Sequence, residues 1–460
     1  MRGILGFLLV AGLTGSAAAQ PATKAAPPPA AKAAQPAPKA TQLPPIERFT
    51  LKNGLEVAVI NVDVPVAAVQ LWYHAGSKDE PRDRRGSAHM FEHMMFKGTQ
   101  HVRPEAHAQM LNGIGGTVNA ATDEDATHYI NNVPPDYVDF AIQLEAERMR
   151  NLLFRKEMID TEREVVKEEV RQQENSPITK GFLRFLEIAF TKHPYGWLAG
   201  GNLKDLDATT PQDLKKFYDA YYQPNNAMLV VAGKTSVEQV KASAEKWFGS
   251  IPKAADASRP SKEAQEPAQT AQRRETTEVS QVGITVIGWH VPSAKDKDIY
   301  AIQVASIILG AGDSSRLKVK LKATDPKTKQ ALALEAGVQP LIHEDPGIVL
   351  ALAAYLDKAK IEPVEKAMMA EVKKLGDAGP AADELRKAKN QVQSGFVFSL
   401  ESAQGLAEAI GRSWIQTGDP TSFVHDVDAI EAVTAADVKR VVKQYFTPEK
   451  ATVVVIPPAR

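Results

Sequence analysis

The 460-residue chain carries 55 basic and 56 acidic side chains for a formal net charge of -1, with 43% hydrophobic residues, 24% charged residues and no cysteine. So even a balance leaves no electrostatic footprint for nucleic acid or an anionic membrane, and the lack of cysteine excludes disulfides, thiolate metal sites and cysteine nucleophiles. Single cores stop growing at roughly 250 to 300 residues, so two or more domains of ordinary globular composition are expected.

The opening MRGILGFLLVAGLTGSAAAQ places one Arg ahead of an apolar run from Ile4 to Leu13 and closes on Ala17-Ala18-Ala19. That is the pattern of a secretory signal peptide, assigned to residues 1–19. The run is well short of the ~20 residues that cross a bilayer, and no other segment is apolar enough, so the expected product is exported, with no membrane span in the mature chain and the periplasm as its compartment. Residues 20–45 are almost entirely Ala, Pro, Lys, Gln and Thr. They hold too little apolar bulk to offset the entropy of ordering and read as a disordered tether.

Order is expected from Ile46, where FTLKNGLEVAVI has the form strand, Asn53-Gly54 turn, strand. A third strand follows over Val66 to His74, then a helix from Gly86 to Phe96, and strands at Thr117 to Ala121 and Thr127 to Asn131. Pro134 and Pro135 open an amphipathic helix ending near Asn151, and another helix, rich in Glu and Lys, runs from about Arg155 to Glu174. The stretch 256–275, dominated by Pro, Ser, Ala, Gln and Lys, reads as a linker between domains at 46–255 and 276–460. Beyond it lie a strand from Val279 to Trp289 and helices at Tyr300 to Leu309, Glu362 to Leu375 and Ala382 to Thr417. Strands mixed with long helices give an α+β class.

The halves resemble each other. Thr210, Asp213, Leu214, Tyr222, Pro224 and the strand from Ala227 recur as Thr434, Asp437, Val438, Phe446, Pro448 and the strand from Ala451, each 224 positions later. A capped helix, an aromatic-x-Pro stop and a β-branched strand at one fixed offset suggest duplication of a whole domain.

The chemistry-bearing segment is GSAHMFEHMMFKGT, with His89-Met90-Phe91-Glu92-His93. At 100° per residue, His89 and His93 lie within about 40° of each other one turn apart, with Glu92 beside them. Two imidazoles suit a catalytic zinc, which takes three N or O ligands and keeps a fourth position for water or substrate. A neighbouring carboxylate can then take the proton of the attacking water, the role expected of Glu92. The order His-x-x-Glu-His is itself a zinc-peptidase signature, the reverse of the commoner His-Glu-x-x-His.

With this motif, the chain resembles the pitrilysin or insulinase family of inverted zinc peptidases, and within it the mitochondrial processing peptidase-like branch. The resemblance extends to Glu162-Arg163-Glu164-Val165-Val166-Lys167-Glu168-Glu169, to Gly115-Gly116-Thr117-Val118-Asn119-Ala120, to His193-Pro194-Tyr195-Gly196 and to Tyr222-Gln223-Pro224-Asn225-Asn226-Ala227. It implies Glu169, 76 positions after His93, as the third ligand of one zinc per chain, and Glu162, on the same helical face, as an orienting carboxylate. Asn119 and Ala120 would hold substrate backbone by strand addition. The implied architecture is two homologous α/β-sandwich domains, with antiparallel-rich sheets packed by helices, enclosing a chamber for unfolded peptides. Ser315-Arg316-Leu317 matches the family's second half, where Arg316 would approach substrate, but Leu334 in Leu332-Ala333-Leu334 stands where the family carries Tyr. A homologous partner subunit supplying the absent hydroxyl is therefore expected, with a homodimer as the second choice. The alternatives to an endopeptidase are a non-catalytic scaffold and a peptide-binding subunit, neither of which needs zinc ligands.

Overall fold

The computed structural model describes residues 43–460 apart from 257, 258, 325 and 327. The expected signal peptide and most of the tether lie outside the described residues. β1 (Ile46–Thr50) and β2 (Glu56–Asn61) form the hairpin around Asn53-Gly54. Gly54 takes φ +91°, and the Asn53 amide donates to the carbonyls of Phe248 and Ile251 at 2.8 and 2.9 Å, tying the turn to the end of a helix far along the chain.

With β3 (Ala67–Tyr73), β4 (Thr117–Thr122), β5 (Thr127–Val133) and β6 (Ala227–Gly233), the first half builds a sheet of order β1-β2-β6-β3-β5-β4. The second half contributes β7 (Arg273–Thr276), β8 (Gly283–His290), β9 (Glu335–Leu341), β10 (Ile348–Tyr355) and β11 (Ala451–Ile456), in the order β7-β11-β8-β10-β9. Without β1 the two orders coincide strand for strand. In each sheet one pair is parallel, β2 with β6 and β7 with β11, and the rest are antiparallel. The repeat seen at 224 positions is real in three dimensions: the helices Pro211–Tyr221 and Ala435–Tyr445 both begin with a capping box, Thr210 with Asp213 and Thr434 with Asp437.

Helices of the first half are α1 (Ser87–Met94), α2 (Ala106–Gly113), α3 (Val138–Asn151), α4 (Lys156–Glu174), α5 (Pro177–Ala189), α6 (Leu203–Ala208), α7 (Pro211–Tyr221) and α8 (Val237–Phe248). After the short α9 (Pro260–Glu263), the second half has α10 (Ile299–Gly310), α11 (Arg316–Lys322), α12 (Ile361–Ala378), α13 (Ala382–Ser399), α14 (Ala403–Thr417), α15 (Asp426–Ala432) and α16 (Ala435–Tyr445). The single helix expected over Ala382 to Thr417 is thus two. The ladder ends at Ser399, and Ser402 starts a new helix by accepting the N–H of Gly405 at 3.0 Å. Side-chain capping of this kind competes with helix continuation, which is why a serine interrupts an otherwise unbroken periodicity.

The break redirects the chain. One face of each sheet is covered by helices of its own half, α1, α3, α7 and α8 on the first and α10, α12 and α16 on the second. The opposite faces are covered by exchange. From the second half, α14 lays Leu406, Ala407 and Ile410 on Ala58, Trp72, Met228 and Val230 of the first sheet. From the first, α5 lays Phe182, Phe185 and Leu186 on Ile284, Val286 and Leu350 of the second. Glycines permit the close approach: a Cβ at Gly411 would stand 2.2 Å from Trp72 Cε2, and one at Gly181 2.4 Å from Ile456. The segment read as a linker is also docked, for Arg259 pairs with Asp79 at 3.2 Å and the buried Gln269 donates to the Ala451 carbonyl at 2.8 Å.

Candidate active site

Met90, Phe91 and Met94 are buried in the first core, which fixes the rotation of α1 and leaves His89, Glu92 and His93 on the partly exposed side. The His89 and His93 rings stand perpendicular with centroids 4.9 Å apart. Across from them lies α4, anchored by Ile159, Val166 and Val170, and it turns Glu162 and Glu169 toward the imidazoles two helical turns apart. Glu169 Oε2 is 3.7 Å from His89 Nε2, and its Oε1 is 3.7 Å from His93 Nε2. One ligand atom from each of His89, His93 and Glu169 lies within 4.8 Å of the other two, and among the described residues no other cluster of His or acidic groups does so. Two imidazoles and a carboxylate converging with one side open fit the donor set of a catalytic zinc.

Glu162 approaches His93 from the other side, with Oε2 3.4 Å from Nδ1. It is buried and held in place by Lys97, whose ammonium is 3.1 Å from its second oxygen and 2.5 Å from Glu105. Burial alone would raise Glu162, but contacts with His93 and Lys97 hold its carboxyl below the usual range. Burial and the adjacent His93 push His89 down to about 4, so the ring is neutral at neutral pH and keeps one nitrogen lone pair for a metal. Burial also disfavours the charged form of His93, yet the carboxylates of Glu162, Glu169 and Glu92 raise it overall. Replacing Glu162 by Gln removes the charge that orients His93. Zinc affinity should then fall by about 10- to 100-fold, read by competition with a chromogenic chelator.

The N terminus of α1 is capped from outside. Gly86 precedes it in the left-handed region, φ +95°, and the buried Glu80 carboxylate accepts the N–H of Gly86 at 2.9 Å and of Ala88 at 2.8 Å. Neither Lys97 nor Glu80 was singled out from sequence. Lys97 sits four residues after His93, a spacing that could have flagged it, whereas nothing marks Glu80, whose contact depends on how the loop before α1 folds back.

Asn119 is exposed and Ala120 buried on β4, the last strand of the first sheet, whose outer edge pairs with no other strand among the described residues. Arg316 begins α11, and its Nε and Nη2 donate to the Glu384 carboxylate at 2.8 and 2.7 Å, while Nη1 is buried without a partner. Leu334 leads into β9 with its side chain nearly half exposed.

Two halves of one helix-and-sheet plan, with an inverted His-x-x-Glu-His helix facing an acidic helix in the first, define a zinc metallopeptidase. Residues 56–197 match the model for Insulinase (Peptidase family M16), and residues 208–392 match that for the Peptidase M16 inactive domain. The chain is 31% identical over 423 residues to Zinc protease PqqE of Helicobacter pylori, covering 90% of this chain and 94% of that protein. It therefore belongs to the M16 insulinase peptidase family. The crystal structure of a protease from Helicobacter pylori superposes with a TM-score of 0.85 at 31% identity, covering 90% of this chain and 100% of that one. The probable mitochondrial-processing peptidase subunit beta of Arabidopsis thaliana is 27% identical, covering 86% of this chain and 75% of that protein. The processing-peptidase branch is thus among the relatives without being singled out. Among the described residues no helix is long and apolar enough to cross a membrane.

Proposed function

We propose that the protein is a zinc-dependent endopeptidase for unfolded peptides, holding one zinc per chain through His89, His93 and Glu169. The observation that carries this is the convergence of those three donors within 4.8 Å beside Glu92 on the same helix. When bound, zinc supplies Lewis acidity, lowering the pKa of water and polarising a scissile carbonyl. Glu92 accepts a proton from the attacking water and returns it to the departing amine. Glu162 keeps His93 oriented through its Nδ1. An extended peptide adds as a strand to β4, its main chain paired near Asn119 and Ala120, which favours segments free of other structure. The two halves would enclose this site in a chamber that filters substrates by shape, and the leader pattern assigns the protein to the periplasm.

We further assign the working form to a hetero-oligomer with a homologous subunit, ahead of a homodimer. Leu334 offers no hydroxyl to a carbonyl oxygen, and the Arg316 fork is engaged by Glu384, so this chain leaves those stabilising donors to a partner. The test is cleavage of a quenched fluorescent peptide library by the purified chain, with zinc measured on the same sample and removed by chelation. Bound zinc with cleavage only after a homologous subunit is added supports both parts. Zinc-dependent cleavage by the chain alone keeps the peptidase and removes the need for a partner, whereas a chain that takes up no zinc turns the reading toward a scaffold or peptide-binding subunit.

A further inference from the structure

Helix α1, which carries His89, Glu92 and His93, has only eight residues, no side-chain cap of its own and no acidic residue in its first turn. A helix start leaves four N–H groups without partners, and here two backbone N–H groups are satisfied by Glu80 alone. Glu80 closes a short turn, Ser77–Asp79, in which every residue is buried. That turn is held from both halves of the molecule: the N–H groups of Ser77 and Lys78 donate to the Asp123 and Glu124 carbonyls at 3.1 Å, and the second half reaches the Lys78 side chain. Lys78, about 1% exposed, donates to Glu344 at 2.5 Å and to Asp125 at 2.7 Å. Glu344 and Asp345 lie in the turn between β9 and β10, and that turn is locked onto the first half. The Glu344 N–H donates to Asp125 at 2.9 Å, and the Asp345 N–H to the Tyr195 hydroxyl at 3.1 Å, which itself donates to Asp125 at 2.5 Å. His74, from the end of β3, reaches Glu344 at 2.6 Å.

Polar contacts therefore run from the β9–β10 turn to Lys78, and the backbone of the turn, closed by the Glu80 N–H on the Ser77 carbonyl at 3.4 Å, carries the connection two residues on to Glu80 and the start of the helix with the metal-binding pair. We propose that Glu80 is the positioning residue of α1 and that Glu344, supplied by the second half, acts on the metal site through it. This rests on the metallopeptidase reading and adds to it a task for the second half, which has no such ligand cluster among its described residues. Docking of that half sets the 77–80 turn, the turn sets the first residues of α1, and these set His89 and His93 against Glu169.

Zinc affinity is the readout, measured by chelator competition on the full chain for the parent, Glu80→Gln, Glu344→Gln and, as a control, Asp298→Asn. The control removes an ion pair with Arg440 elsewhere in the second half, at 2.8 and 2.9 Å. A Gln at 80 presents N–H where an acceptor is needed, so affinity should drop about 10- to 100-fold, the range found for groups that orient metal ligands. Glu344→Gln leaves Lys78 paired with Asp125 and should lower it by roughly 2- to 30-fold, with kcat reduced and KM little changed. Asp298→Asn should leave zinc affinity alone even where it lowers thermal stability. Should Glu80→Gln fail to fold, the partly exposed Glu344 decides the matter by itself. Parental affinity in Glu344→Gln, or a loss no larger than in the control, overturns the proposal while leaving a zinc-loaded parent and the peptidase reading intact. A parent that binds no zinc overturns the peptidase reading and this one with it.

Discussion

Replacing Glu92 by Gln should lower kcat by about 10²- to 10⁴-fold, the usual share of a positioned general base, while the protein folds and keeps its zinc. The substitution preserves shape and removes only the ability to accept a proton. Glu92 is not among the three donors that converge, His89, His93 and Glu169, so metal loading has no reason to change. Steady-state kinetics on a quenched peptide, with metal analysis of the same sample, checks both halves of the expectation. On the proposed addition of the substrate main chain to the β4 edge, KM should hold near the parental value. Loss of zinc together with activity would mean that Glu92 is a ligand or a structural support. Retention of activity would transfer proton abstraction to another group, with Glu162 excluded by its engagement with Lys97 and His93.

How much of this was legible beforehand depends on the range of the contact. The His-x-x-Glu-His face follows from helical angle alone, and both hairpin and capping-box signals are local, so β1, β2, α7 and α16 stand where the sequence places them. Glu169 is different. Its helix carries many carboxylates, among them the exposed Glu164 and Glu168, and only family resemblance separates Glu169 from them before α4 is seen to cross α1. Glu80, Lys78 and Glu344 carry no sequence signal at all. Their pairing spans up to 266 positions and is created when two loops are pressed together by sheets that the loops do not specify. A buried ion pair adds little net stability over an apolar contact of the same size, while losing one partner leaves a buried charge unpaired, so such a contact penalises any other way for the two halves to meet. The exchange of α5 and α14 is hidden for a related reason: an amphipathic face declares that it is buried, not which sheet buries it.

That exchange carries the second large effect. Gly411→Val should destabilise the protein by about 3 kcal/mol, seen as a lower denaturant midpoint, because the added Cβ meets the Trp72 ring at 2.2 Å and Trp72 cannot retreat. Its indole is fully buried, donates to Gln70 Oε1 at 2.9 Å and stacks on His128 with centroids 3.8 Å apart. The helix must move instead, and with it goes the cover of Ala58, Ile60, Met228 and Val230. The same argument predicts that residues 46–255 made alone fail to stay soluble, since both that sheet face and the apolar side of α5 would lie open to water. Residues 256–460, which keep β7 and the docked segment before it, should fail likewise when made alone, and co-expression of the two should restore a soluble complex, because every exchanged contact is non-covalent. A soluble, cooperatively unfolding 46–255 fragment would show that α14 is dispensable to the first sheet. Insolubility of each half with recovery on co-expression would make the two halves one folding unit, in which the helix carrying His89 and His93 cannot be held without the second half.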